Sequence, residues 1–99
     1  MKKSILQETK ECYVCREYLG VQNLDSLERH HVISGVANRQ LSEKYGLTLW
    51  LCHEHHNESP MGVHFNKALR DQLCRFAQHR FQEEYPEKNF RQLFGKTYL

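Results

Sequence analysis

No run of apolar residues in this chain of 99 residues approaches the roughly 20 that a membrane-spanning helix needs, so no such span is expected. The opening Met1-Lys2-Lys3-Ser4-Ile5-Leu6-Gln7 is too poor in apolar residues for a secretory signal, which points to a reducing, cytosolic compartment. An excess of one charge is missing too. The 14 Lys and Arg stand against 12 Asp and Glu, a formal net charge of +2 with His neutral. That balance permits nucleic-acid binding without arguing for it. There is no internal repeat and no low-complexity linker, so residues 1–99 read as a single domain, with the polar residues 1–11 expected to be flexible. A hydrophobic content of 39% with 26% charged residues excludes a disordered tail. A chain this short buries only a thin core, and thin cores often need a staple.

What the chain has is cysteine and histidine in clusters. Of its 4 Cys and 7 His, Cys12 and Cys15 form one close pair, Cys52 precedes His53, His55 and His56, and His30-His31 stand side by side. Around them the pattern reads as short elements. Cys12 to Gly20 is a tight turn with an irregular segment behind it. Leu27–Ile33 is a strand entering the turn at Ser34-Gly35. Residues 38–45 form a helix stopped by Gly46, and Leu47–Leu51 is a buried strand. Residues 57–62 are a loop. From about His64 the apolar residues Leu69, Leu73, Phe76, Ala77 and Phe81 recur at spacings of three and four, predicting a long helix ended by Pro86. A last short helix over 89–94 stops at Gly95. The fold class is α+β: a hairpin with a helix in its connection, then a long C-terminal helix.

The spacing Cys12-x-x-Cys15 and Cys52-x-x-His55 supplies two pairs of soft ligands. A tight turn can aim both members of such a pair at one tetrahedral ion. In a reducing compartment a closed structural Zn2+ site explains these thiols better than disulfides do, and no strand-to-helix context supports a redox pair. Cys74 lies on the apolar stripe of the long helix and reads as core.

His30 and His31 are neighbours near a strand end, and neighbouring strand side chains face opposite ways. One can hold a metal while the other approaches a substrate from another direction. Phosphodiester hydrolysis uses that division: a base takes the proton of the attacking water, and a cation offsets charge growing on the phosphate. Imidazole serves both roles. His55 and His56 are neighbours and either could reach the zinc; with His55 favoured, because Cys-x-x-His mirrors the first pair, His56 and His64 remain for a second site, His64 near the start of the long helix.

These residues resemble the HNH, or ββα-metal, nuclease superfamily. The resemblance rests on His30-His31-Val32-Ile33 and on Leu51-Cys52-His53-Glu54-His55-His56-Asn57. Further likeness lies in Ala37-Asn38-Arg39, Glu43-Lys44-Tyr45-Gly46-Leu47 and Gly62-Val63-His64-Phe65-Asn66-Lys67, which are similar to bacteriophage recombination-enhancement, RecA-dependent nuclease proteins. It continues through the long helix to Phe94-Gly95-Lys96 and covers nearly the whole chain from Cys12 onward. The resemblance implies a small ββα-metal finger with His31 as general base, His30 as a ligand of a catalytic metal, and His56 or His64 completing that site. It implies cleavage of DNA to 5′-phosphate and 3′-hydroxyl ends, a RecA–DNA filament as a partner, and a bacterial host cytosol. The catalytic ion would be Mg2+ or Mn2+, with Zn2+ or Ni2+ as alternatives. The family's Asn before the second strand has no counterpart at Tyr45-Gly46-Leu47, and Asn38, Asn57 and Asn66 are the candidates for its role.

Arg29, Arg39, Lys44, Lys67 and Arg70 flank the expected site and could neutralise DNA phosphates without reading sequence. The alternative is a non-catalytic, zinc-stapled DNA- or protein-binding module. A binding module of that kind has no need of His30, His31, His56 and His64, and metal-dependent nicking of plasmid separates the two.

Overall fold

The computed structural model describes residues 2–99. Its framework is an antiparallel two-stranded sheet, β1 (Leu27–His31) and β2 (Thr48–Cys52), in which His30 faces Leu49 and His31 faces Thr48 across the ladder. The strands are joined by helix α2 (Val36–Tyr45) and followed at once by the short helix α3 (His53–Asn57). A 3₁₀ turn at Val63–Phe65 leads into the long helix α4 (Lys67–Glu84), and α5 (Phe90–Phe94) closes the chain. No helix among the described residues is long and apolar enough to cross a membrane.

One buried cluster gathers apolar residues of β2 and of α4. Leu47, Leu49 and Leu51 on the strand side are fully buried, as are Leu73, Ala77 and Phe81 on the helix. The expected apolar stripe of α4 is present and Cys74 is buried in the core as expected, with one shift: Phe76 lies at the core's edge, stacked on Tyr13 at 5.5 Å. Phe81 gathers Tyr45, Tyr85, Phe90 and Phe94 around its ring at centroid distances of 5.2–5.8 Å, tying α2, α4 and α5 together. Buried Gln78 is satisfied by Gln82, Thr97 and the Tyr98 N–H, which fixes the C-terminal residues against α4.

Four local readings change, the first being that residues His53–Asn57 form the helix α3 where a turn and the start of a loop were expected. Residues Tyr13–Leu19 form a helix, α1, rather than an irregular segment. The Cys12 sulfur accepts from the Cys15 N–H at its start, and Gly20 ends it in the left-handed conformation. The long helix begins at Lys67, not at His64, because the Asn66 side chain caps it by accepting from the Leu69 N–H. The opening residues are anchored along β2. Ser4 donates to the Thr48 carbonyl, Gln7 accepts from the Trp50 N–H, and the Ile5 N–H donates to the Gly46 carbonyl. Gly46 is required twice: its φ is +75°, and a Cβ there would lie 2.6 Å from the Lys3 carbonyl oxygen.

Candidate metal centre

Two clusters of ligand atoms converge, one on each side of α3: Cys12, Cys15, Cys52 and His55, and His30, His56 and His64. In the first, Cys12 and Cys15 come from the start of α1, Cys52 from the end of β2 and His55 from α3, and all four are buried. Their closest approaches are 3.2 Å (Cys52 Sγ to His55 Nδ1), 3.4 Å (Cys15 Sγ to His55 Nδ1), 3.8 Å (Cys12 Sγ to His55 Nδ1) and 3.9 Å (Cys15 Sγ to Cys52 Sγ). Ligands on one tetrahedral ion, with sulfur at about 2.3 Å and nitrogen at about 2.0 Å, sit about 3.5–3.8 Å apart. The spacing therefore fits a single metal ion. Burial pushes the Cys15 thiol up to about 12 and raises that of Cys52. A cation among them would reverse that balance, since a coordinating thiol is deprotonated outright.

The second cluster sits on the other side of the same helix. Residues of a strand alternate, so Glu28 and His30 share the β1 face toward α3, while Arg29 and His31 share the opposite face toward α2. His30 is 5% exposed, and its Nε2 is a buried nitrogen with no hydrogen-bond partner. The His30 ring lies 5.1 Å from that of His56 and 5.4 Å from that of His64. The His56 and His64 Nε2 atoms are 3.0 Å apart, a distance suited to two imidazoles on one ion with bonds of about 2.0–2.1 Å. His56 donates its Nδ1–H to the Glu28 carboxylate at 2.8 Å, which turns the Nε2 lone pair toward its neighbours. Burial, then the crowding of His56, His64 and His31, presses His30 down to about 3. Burial also lowers His64, followed by His56 and Arg70. Both imidazoles are thus neutral, the form that binds a metal.

Glu28 and Glu43 carry much of this arrangement, and neither was among the residues expected. The Glu28 carboxylate also accepts from His53 at 2.9 Å and from the Asn57 amide at 2.8 Å, and these bonds, that of His56 first, hold it down to about 2. Glu43 on α2 accepts from His31 Nε2 at 2.8 Å and from Arg29 through both carboxylate oxygens at 2.8 and 3.1 Å. The Arg29 bonds, before that of His31, hold Glu43 down to about 2. The spacing of Glu28 from His30, two positions along one strand face, was a usable signal. Nothing in the spacing of Glu43 announces its partner.

His30, His31, His56 and His64 line one open cavity of about 340 Å³ together with Arg29, Arg39 and the α2 approach at Ser34-Gly35. Of the expected DNA-contacting cations, Arg29 and Arg39 reach it. The Arg29 guanidinium is committed to Glu43 and lies over Trp50 at 5.9 Å. Lys44 lies over Tyr45, Lys67 pairs with Asp71 at 2.7 Å, and Arg70 donates to the Val63 carbonyl. None of the three lines the cavity. Among the candidate asparagines, Asn38 donates to the Ser34 carbonyl, Asn57 to Glu28 and Asn66 caps α4. Compared with known protein families, with curated proteins and with solved structures, the chain matches none.

Proposed function

We propose that this protein is a metal-dependent DNA endonuclease of the HNH type, built as a ββα-metal finger and stapled by a structural Zn2+ on Cys12, Cys15, Cys52 and His55. The observation that carries the proposal is the meeting of three imidazoles, His30, His56 and His64, beside a fourth, His31, whose ring is oriented separately from the opposite strand face. A purely structural finger uses one ligand set, and here a second set opens onto a cavity.

In this proposal His30, His56 and His64 hold the catalytic ion, and the orphaned His30 nitrogen has its partner there. A divalent cation at that place supplies charge stabilisation to the phosphate and the leaving oxygen. Three imidazoles without a carboxylate suit Zn2+ or Ni2+ ahead of Mg2+ and Mn2+, which favour oxygen ligands. His31 accepts a proton from the water that attacks phosphorus; the phosphorus–oxygen bond to the leaving group breaks, and the leaving oxygen is protonated from solvent. Arg39 contributes positive charge beside the phosphate. Cleavage without strong sequence preference follows, since nothing at the cavity reads base edges.

The test is single-turnover cleavage of supercoiled plasmid and circular single strands across titrations of Zn2+, Ni2+, Mn2+ and Mg2+. The partner that the resemblance implies, a RecA–DNA filament, enters as a further substrate form. His31→Ala is expected to lower the rate by ~10²- to 10⁴-fold with fold and zinc content intact. His30→Ala is expected to raise the concentration of activating ion required. A wild-type protein that cuts none of these substrates with any of these ions overturns the proposal in favour of a zinc-stapled binding module.

A further inference from the structure

His31 is the residue asked to act as base, and a base must present a lone pair. A neutral imidazole has one nitrogen with hydrogen and one without, and in solution the two tautomers exchange. The structure constrains the choice. Glu43 Oε1 lies 2.8 Å from His31 Nε2. An ionised carboxylate only accepts, so Nε2 carries the hydrogen and Nδ1 carries the lone pair.

The carboxylate is itself held. Arg29 grips both of its oxygens and also donates to the Lys2 carbonyl at 3.3 Å. Arg29 stands two positions before His31 on the same face of β1. The strand therefore carries both the base and the clamp for the residue that orients the base, while Glu43 reaches in from α2. The side chains of His31, Arg29 and Glu43 are 24%, 19% and 31% exposed, and His31 and Arg29 line the cavity, so Glu43 holds the His31 ring from beside the cavity.

We propose that Glu43 is the positioning residue for His31, fixing its ring in the Nε2–H tautomer so that Nδ1 is the atom that takes the proton from water. This rests on the nuclease reading above and adds a residue to it. Serine hydrolases use a buried carboxylate in the same way, to set the tautomer of their histidine without taking its proton.

The experiment pairs kinetics with a spectroscopic reading of the ring. Single-turnover rates at saturating plasmid and DNA affinities are measured for wild type, Glu43→Ala, Glu43→Gln, His31→Ala and the double variant His31→Ala/Glu43→Ala, each checked for zinc content and melting temperature. Glu43→Ala is expected to lose roughly 10- to 100-fold in rate at saturation, the range typical when the partner of a functional imidazole is removed. DNA affinity should stay within about twofold, a change worth little beside the rate loss. Glu43→Gln keeps an oxygen for the Nε2–H and should recover part of the rate. The double variant should be no slower than His31→Ala, because Glu43 acts only through that ring. A Glu43→Ala protein as fast as wild type, a loss confined to DNA affinity, or a double variant slowed by the product of both single losses overturns the proposal. Nitrogen-15 shifts of the His31 ring should report Nε2–H in the wild type and a tautomer mixture in Glu43→Ala. That measurement does not depend on cleavage. If the wild type cuts no DNA, the nuclease reading fails, while the positioning of the ring still stands or falls on the shifts. An unchanged tautomer in Glu43→Ala overturns it.

Discussion

Replacing Cys15 by serine removes one corner of the Cys12–Cys15–Cys52–His55 cluster, and the structure indicates how far the damage spreads. The cluster joins residues 12–15 to residues 52–55, pairs separated by 37 to 43 positions in sequence. Helix α1 has 7 residues, far too few to persist without packing, and its starting cap is the Cys12 sulfur. Cys15 is 5% exposed, so the serine hydroxyl would be buried on a shorter arm among two thiols and an imidazole. A structural zinc contributes ~10–16 kcal/mol of apparent binding energy in small fingers. A domain of this size is stable by about 5–15 kcal/mol in all. Forfeiting even half of the ion's contribution is thus comparable to the whole margin, and Cys15→Ser is expected to be largely unfolded at room temperature. Metal content by mass spectrometry and melting by far-ultraviolet circular dichroism measure both halves of the claim. Cys74→Ser is the control. That sulfur is buried near the Val32 carbonyl and belongs to neither cluster, so zinc content should hold while stability falls by about 1–3 kcal/mol. A Cys15→Ser protein with wild-type zinc content and melting temperature would refute the reasoning.

The neighbours His55 and His56 should separate cleanly: His55→Ala melts early and loses zinc, whereas His56→Ala keeps its melting temperature and loses binding of the second divalent ion, both readable by calorimetry. Phe81→Ala should cost about 3–5 kcal/mol in chemical denaturation, because the ring is fully buried among four aromatic neighbours; a loss below 1 kcal/mol would show that the aromatic cluster is not packed as described. In acid, Glu43 adds its own dependence. Its carboxyl is held at about 2 against an ordinary 4.5, so the stabilisation is complete above pH 4.5 and is lost as pH falls toward 2. Glu43→Gln should therefore lose less stability than wild type between pH 4.5 and 2, and parallel curves for the two proteins would contradict that.

The Cys and His pairs that could hold a metal were the most legible part of the chain because their information is local. Two residues between Cys12 and Cys15, and between Cys52 and His55, place each pair on one turn, and the structure brings the pairs together. The strands and the long helix were legible from their periods. What escaped was held by partners far off in sequence. α1 was missed because its seven residues show no periodic stripe and the Cys pair looked like a turn. The anchoring of residues 4–7 depends on β2, more than 40 residues away, and polar residues give no pattern to announce it. Glu43 reads like any surface acid of a helix until α2 folds back onto β1. Arg29 and Lys67 looked like cations for phosphates, yet each sits on a carboxylate that composition alone could not assign.

The two ligand clusters share helix α3 through neighbouring residues. His55 faces the thiols and His56 faces His30 and His64, and no residue lies between them. The segment from Cys52 to His56 therefore has no slack. Adding or removing a single residue between Cys52 and His55 would rotate the later side chains by about 100° and misplace both His55 and His56, one ligand of each site. The loop of residues 58–62 contributes no ligand to either cluster. An engineer grafting this unit onto another hairpin could alter that loop, but would have to carry Cys52-His53-Glu54-His55-His56 as an indivisible block.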